Sequence, residues 1–176
     1  MSRGLPSREQ ALKLLVDTGC PTKVISHCLA VTELAQQIAA KLQRKGYPID
    51  LDLVEISALL HDIGRSKTHD VEHSLVGAEI VRTLGLPEAV INIIKRHVGA
   101  GITETEAVCL GWPKDVYVPQ TLEEKVVCYA DKRIDHNRVV PIETEIEKLE
   151  SNGFFEAAER VRNLHSTITQ ILGEPI

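Results

Sequence analysis

Asp50-Leu51-Asp52-Leu53-Val54-Glu55-Ile56-Ser57-Ala58-Leu59-Leu60-His61-Asp62-Ile63-Gly64 is the most apolar helical stretch of the chain, and it closes on an imidazole and a carboxylate side by side. Asp50 or Asp52 opens it as an N-terminal cap. Leu51, Leu53, Val54, Ile56, Ala58, Leu59 and Leu60 leave almost no polar face, so this helix belongs at the centre of the fold. Carrying two polar groups into such surroundings without partners costs about 2–7 kcal/mol for a neutral group and more for an ionised carboxylate. A divalent metal satisfies both, because neutral imidazole and carboxylate are good ligands for Zn, Mn, Fe, Co or Ni. Two ligands do not complete a site, and the rest of the chain must supply others.

Outward from this helix the chain reads as helix after helix, with Gly and Pro as punctuation and no run of strict alternation. Helices are expected over about Ser7 to Asp17, Thr22 to Lys45, Glu72 to Leu84, Pro87 to Val98, Thr103 to Leu110, Leu122 to Lys132, Glu143 to Ser151 and Phe154 to Leu172. The second of the chain's helices carries an apolar stripe of Val24, Cys28, Val31, Ala35, Ile38 and Leu42. Gly111 to Pro119 reads as a loop, since its two prolines forbid a regular element. The expectation is an all-α bundle of about seven to nine helices. It forms a single domain over 1–176, with its core at about 22–138 and C-terminal helices at about 141–173. At 176 residues such a domain buries about 70% of the surface its unfolded chain exposes.

Twenty Lys and Arg against 25 Asp and Glu give a net charge of −5, so no extended basic surface exists to collect nucleic acid and any anionic ligand must be captured locally. The N-terminus lacks the apolar segment of a signal peptide, and no stretch approaches the length of a membrane span, so a cytoplasmic location is expected. The cysteines, Cys20, Cys28, Cys109 and Cys128, are scattered without metal-type spacing and read as reduced, mostly buried thiols.

Histidines and aspartates recur at the ends of apolar helical runs. His27 borders the buried stripe of its helix, His73 precedes the small pair Gly77-Ala78, His97 ends a helix carrying Val90, Ile93 and Ile94, and Asp131 follows Val126-Val127-Cys128-Tyr129-Ala130. Each alone fits a satisfied structural residue. Together the order His27, His61-Asp62, Asp131 resembles the HD-domain superfamily of metal-dependent phosphohydrolases, and Ile63-Gly64 is similar to its HDIG subgroup. The resemblance runs from about Thr22 to Arg138 and includes His73-Ser74-Leu75-Val76-Gly77-Ala78, Ile94-Lys95-Arg96-His97 and Tyr129-Ala130-Asp131-Lys132.

That resemblance implies that His27, His61, Asp62 and Asp131 hold one divalent ion, with Asp62 placed to bridge to a second. His73 and His97 match the extra histidines of two-metal subfamilies, so a binuclear site is favoured, with iron or manganese ahead of zinc, nickel, cobalt or magnesium. The implied activity is hydrolysis of a phosphomonoester or phosphodiester, in a small phosphorylated substrate of nucleotide type, by a metal-activated hydroxide. The alternatives are a mononuclear 5′-nucleotidase and a catalytically silent nucleotide-binding regulatory module. Arg65, Arg96, Lys132 and Arg138 neighbour the implied ligands in sequence and are candidates to hold phosphate. Arg65 stands where the family usually has Lys, which exchanges a compact ammonium for a planar fork.

Other polar residues carry less weight. His69 and His136 lie near the implied ligands in sequence, and His165 reads as structural. Trp112 and Tyr117 either cover a base or pin their loop. Specificity is expected from Lys67 to Asp70 and from Gly111 to Pro119, and homo-oligomerisation is left open.

Overall fold

Helix follows helix along the chain: α1 (Arg8–Asp17), α2 (Thr22–Arg44), α3 (Leu51–Leu60), α4 (His73–Thr83), α5 (Glu88–Arg96), α6 (Glu104–Cys109), α7 (Leu122–Lys132), α8 (Ile142–Ser151) and α9 (Phe155–Leu172). This computed structural model describes residues 4–173, and within them the expected all-α bundle has nine α-helices. Two 3₁₀ turns, Ile63–Ser66 and Val98–Ala100, interrupt the pattern. The chain also makes one hairpin that the absence of alternation had not suggested, β1 (Ile134–Asp135) paired antiparallel with β2 (Arg138–Val139). Strands of two residues are too short to show a period, so this element leaves no pattern to read.

Local chemistry starts the helices where the sequence places them. Ser7 and Gln10 exchange hydrogen bonds in a capping box at α1, Asp50 accepts from the Leu53 N–H at α3, and Thr121 accepts from Glu124 N–H at α7. Pro21, Pro87 and Pro141 precede α2, α5 and α8, where a missing N–H costs nothing.

The polar-faceless helix α3 is central because it separates two apolar clusters. Val54 and Ala58 pack into a cluster built from α2, α7, α8 and α9, whereas Ile56, Leu59 and Leu60 pack into one built from α1, α4 and α5. Burying a leucine of this kind contributes about 1.5–3 kcal/mol. α5 divides likewise, with Ile93 in the first cluster and Val90, Ile91 and Ile94 in the second. None of the helices is long and apolar enough to cross a membrane among the described residues. Cys20, Cys28 and Cys128 are buried and free as expected, but Cys109 is exposed at the end of α6.

Just beyond α3 the chain must turn against the start of α4, and Gly64 makes that approach. A Cβ there would lie 1.9 Å from the His73 carbonyl oxygen and 2.6 Å from the Gly77 nitrogen, so backbone would have to move. At Gly77 a Cβ would lie 3.0 Å from the Ile94 Cγ2, a side-chain tip that can give, and 3.2 Å from the Gly64 nitrogen, a far milder backbone approach. Gly64→Ala is therefore expected to lower stability by about 3 kcal/mol and Gly77→Ala by about 1 kcal/mol. Urea unfolding of the two variants checks this, and equal losses would contradict the close approach.

Candidate metal centre

Helix ends position the polar side chains. His61 is the residue that closes α3, His97 closes α5, and Asp131 sits in the last turn of α7. His73 begins α4, and His27 lies in the second turn of α2. Four imidazoles are oriented in the same way, each by its Nδ1. That atom lies 2.7 Å from the Ala58 carbonyl for His61, 2.7 Å from Asp70 for His73, 2.7 Å from Ile94 for His97 and 3.1 Å from His136 for His27. A carbonyl only accepts, so Nδ1 carries a hydrogen in each ring, and Nε2 is the atom whose lone pair the neutral ring can offer to an ion.

Those lone pairs converge on two carboxylates. Asp131 Oδ1 lies 3.0 Å from His27 Nε2 and 3.4 Å from His61 Nε2. Asp62 divides its oxygens: Oδ2 lies 3.8 Å from His61 Nε2, while Oδ1 lies 3.1 Å from His73 Nε2 and 3.5 Å from His97 Nε2. The structure thus brings all six expected ligands together, in two groups that share Asp62.

Several of these atoms have no adequate partner. His61 Nε2 and Asp62 Oδ1 are buried without a hydrogen bond. His73 Nε2 and His97 Nε2 face each other at 3.1 Å, an arrangement that places lone pair against lone pair unless a proton or cation lies between them. His27, His61 and Asp131 form one group compact enough to hold an ion, and His61, Asp62 and His97 form another. The donor set therefore fits divalent metals that accept imidazole and carboxylate.

The electrostatics of the protein without an ion point the same way. Burial alone would raise the Asp62 carboxyl, yet His61, His73 and His97 hold it well below the usual range. Burial likewise opposes ionisation of Asp131, which Lys132, His27 and His61 overcome. Burial disfavours charge on His61, but Asp62, Cys28 and Asp131 raise its pKa well above the ordinary value, so the carboxylates demand positive charge at that point. His97 is pushed down to about 4, chiefly by burial, and stays neutral with its lone pair available.

The candidate phosphate-holding cations separate. Arg65 Nε donates to Asp62 Oδ2 at 2.7 Å and its Nη1 to the His69 carbonyl at 3.3 Å. Lys132 Nζ donates to Asp131 Oδ2 at 2.6 Å, and Asp131 keeps it protonated against the effect of burial. Arg96 is not brought to the centre. Its guanidinium pairs with Glu124 at 2.8 Å and donates to the Val116 carbonyl at 3.0 Å, tying the loop after α6 to α7. Arg138 is exposed on β2 and lines neither of the cavities beside the centre.

A polar cavity of about 840 Å³ borders His27, Asp62 and Asp131 and includes Lys23, His69, His136 and Lys148 in its walls. Lys23 was legible in principle, since it stands one helical turn before His27 on α2; Lys148 belongs to a distant helix and had no signal. A second, more apolar cavity of about 670 Å³ borders His73 and His97. His69 brings the Lys67 to Asp70 segment to the polar cavity, but Gly111 to Pro119 reaches neither cavity. Trp112 and Tyr117 instead pack edge to face at 5.0 Å, with the Tyr117 hydroxyl donating to the Pro113 carbonyl, and so pin their loop. His165 is structural, its Nδ1 lying 2.8 Å from the Tyr129 hydroxyl.

Known proteins are similar to this chain in sequence or in fold. The uncharacterized protein MJ0778 of Methanocaldococcus jannaschii is 45% identical over 164 residues, which are 93% of this chain and 92% of that protein. A tRNA (cytidine(56)-2′-O)-methyltransferase of Thermoplasma volcanium is 37% identical over 97% of this chain, which spans about half, 49%, of that relative's length. Among solved structures, the HD domain of the L. monocytogenes phosphodiesterase PgpH in complex with cyclic-di-AMP superposes with a TM-score of 0.57. That alignment has 18% identity and covers 95% of this chain and 99% of the other. The sequence profile of the HD domain matches residues 24–134, the span from His27 through Asp131 that carries every converging ligand, and the chain belongs to the HD-domain superfamily.

Proposed function

We propose that this HD domain is a metal-dependent phosphohydrolase of the HDIG type that holds two divalent ions and acts on a phosphoester of nucleotide type. The observation that carries the reading is the convergence of imidazole lone pairs on Asp62, with His61 Nε2 and Asp62 Oδ1 left buried and unbonded. A divalent cation satisfies these atoms together. His27, His61 and Asp131 would hold one ion, His73 and His97 the other, with Asp62 offering a different oxygen to each group. Iron or manganese is favoured, a choice that mixed nitrogen and oxygen donors leave broad.

Divalent ions at this place supply an acidified water at neutral pH and withdraw charge from a phosphoryl group. The side chains provide orientation and compensating charge. Arg65 fixes the rotamer of Asp62, and Lys132 does the same for Asp131 while keeping its ammonium beside the cavity. Lys23 adds positive charge to the walls of the polar cavity, where the phosphate oxygens of a substrate would gather, whereas Lys148 lies 3.7 Å from Glu145 in the same wall.

A second reading concerns the substrate. The Thermoplasma volcanium relative, named for a tRNA methyltransferase, contains a counterpart of nearly this whole chain in half its length, which favours a phosphoester borne on RNA. The net charge of −5 weighs against an extended RNA surface, so such a substrate would engage through its end. Comparing turnover of mononucleotides, dinucleotides and a short RNA separates the two.

Asp62→Ala is expected to lose both ions and all turnover while remaining folded, as read by elemental analysis, phosphate release and circular dichroism. Full metal content in that variant would sink the shared-ligand arrangement. His73→Ala and His97→Ala are each expected to lower the ion count toward one per chain. His165→Ala should retain both ions and lose only about 1 kcal/mol of stability with its Tyr129 hydrogen bond. Identical metal content in all three would leave the second ion without support.

A further inference from the structure

Three of the four converging imidazoles are oriented by their own stretch of chain: His61, His73 and His97 each meet the carbonyl three residues back, at Ala58, Asp70 and Ile94. His27 is the exception. Its Nδ1 lies 3.1 Å from the His136 carbonyl, 109 residues along the sequence, and its side chain is the most exposed of the four at 18%. An ion would take the Nε2 side of the ring, so the contact at Nδ1 is what keeps the ring aimed. The aim of His27 therefore depends on where the β1–β2 hairpin sits.

A hairpin with two residues in each strand does not hold itself in place. Its base is closed by Arg133, the residue that caps the C-terminus of α7. The Arg133 N–H is spent on the Ala130 carbonyl, so it does not donate across the hairpin. The side chain does so instead: Nε donates to the Val140 carbonyl at 2.6 Å, while the Val140 N–H donates to the Arg133 carbonyl at 2.8 Å. These two bonds extend the pairing of Ile134 with Val139 and of Asp135 with Arg138 by one rung. The guanidinium is in turn fixed to α7, its Nη1 donating to the buried Tyr129 hydroxyl at 3.0 Å.

The tip of the hairpin is equally specific. His136 and Asn137 form a two-residue loop, and His136, at a φ of 57°, is one of two non-glycine residues with positive φ among the described residues. Positive φ at the first loop residue alone is the pattern of a type II′ turn, a position that favours glycine. The His136 imidazole is 89% exposed and lies 3.1 Å from Asp135, so it plays no part at the centre. What the strained conformation delivers is the carbonyl between the two loop residues, turned to His27.

Given the two-ion reading, on which this rests, we propose that Arg133 is a positioning residue for the ion of His27, His61 and Asp131. It acts through the hairpin and the His136 carbonyl, without touching the ion, and it leaves the ion of His73 and His97 unaffected. The contact to His27 comes from beyond residue 134, where the match to the HD-domain profile ends.

The test is a titration of the full chain with Mn²⁺ alone, the free ion being read by electron paramagnetic resonance. His73→Ala isolates the ion of the His27 group, and His27→Ala isolates the other. In the His73→Ala protein, adding Arg133→Met is expected to raise the Kd ~10-fold, the effect of losing an outer partner of a ligating imidazole. In the His27→Ala protein the same change should leave the Kd where it was. His136→Pro fixes φ at about −65° and turns the tip carbonyl away without altering α7, so it should weaken the same ion by a similar factor. His136→Gly keeps both the carbonyl and the positive φ and should bind as before. Equal weakening in both backgrounds makes Arg133 a support of the whole fold and overturns the positioning role. Weakening by Arg133→Met but not by His136→Pro overturns the route through the hairpin, and unchanged affinity in both overturns the proposal entirely. An unsubstituted chain that takes up no divalent ion removes the two-ion reading and this proposal with it.

Discussion

Everything at the centre depends on imidazole Nδ1–H groups held by backbone carbonyls. His61 and His97 reach back three residues to Ala58 and Ile94, the carbonyls of a helix's last turn that have no partner within the helix. One hydrogen bond therefore does two things: it satisfies an orphan acceptor at a buried helix end, and it fixes both tautomer and ring direction. The same constraint gathers helix C-termini. α3, α5 and α7 all end at this point, each bringing a partial negative charge that favours a cation. Two carboxylates add to that field, and the upward shift of His61 is the response of the protein without an ion.

The apolar packing makes this concentration of charge tolerable. α3 is gripped on both sides by the two apolar clusters, so His61 cannot withdraw toward solvent and its backbone cannot relax. Asp62 follows immediately, in a turn whose tightness depends on the absence of a side chain at Gly64. Sequence order is thus converted to geometry through packing: an apolar helix fixes the imidazole, a close backbone contact fixes the carboxylate, and α4 is drawn near enough for His73 to reach Asp62.

What the amino-acid sequence disclosed follows the same physics. Helices announced themselves because their apolar positions repeat and their caps are local. The ligands were legible because His and Asp at the ends of greasy helices are costly to bury unless something binds them. Contacts between distant surface-facing residues were not. Arg96 and Lys132 both follow or end apolar helices, yet Glu124 and the Val116 carbonyl claim Arg96, while Lys132 stays at the centre. Nothing local to α8 signals that Lys148 and Leu149 wall the cavities, since that depends on how α8 and α9 fold back. The β1–β2 hairpin was invisible for its brevity, although it carries the His136 carbonyl that orients His27.

Arg65 shows how a departure from the family's usual residue constrains the chemistry. A lysine at that position has three donors on one rotatable nitrogen and a pKa that burial can lower, so it can give up a proton. The guanidinium cannot, since it stays protonated throughout the accessible range. Its Nε is committed to Asp62 and its Nη1 to the His69 carbonyl, which places it as a brace for the shared carboxylate and for the loop that brings His69 to the polar cavity. In the proposed hydrolysis, Arg65 would therefore leave protonation of a departing oxygen to water or to another group at the cavity, and Lys132 is the other cation held at the centre. Lys132 is a poor acid, because Asp131 raises its pKa against the effect of burial. Electrostatic stabilisation of the departing oxygen, rather than a dedicated acid, is the contribution this set of side chains can make, and it suits a leaving group that already bears negative charge well.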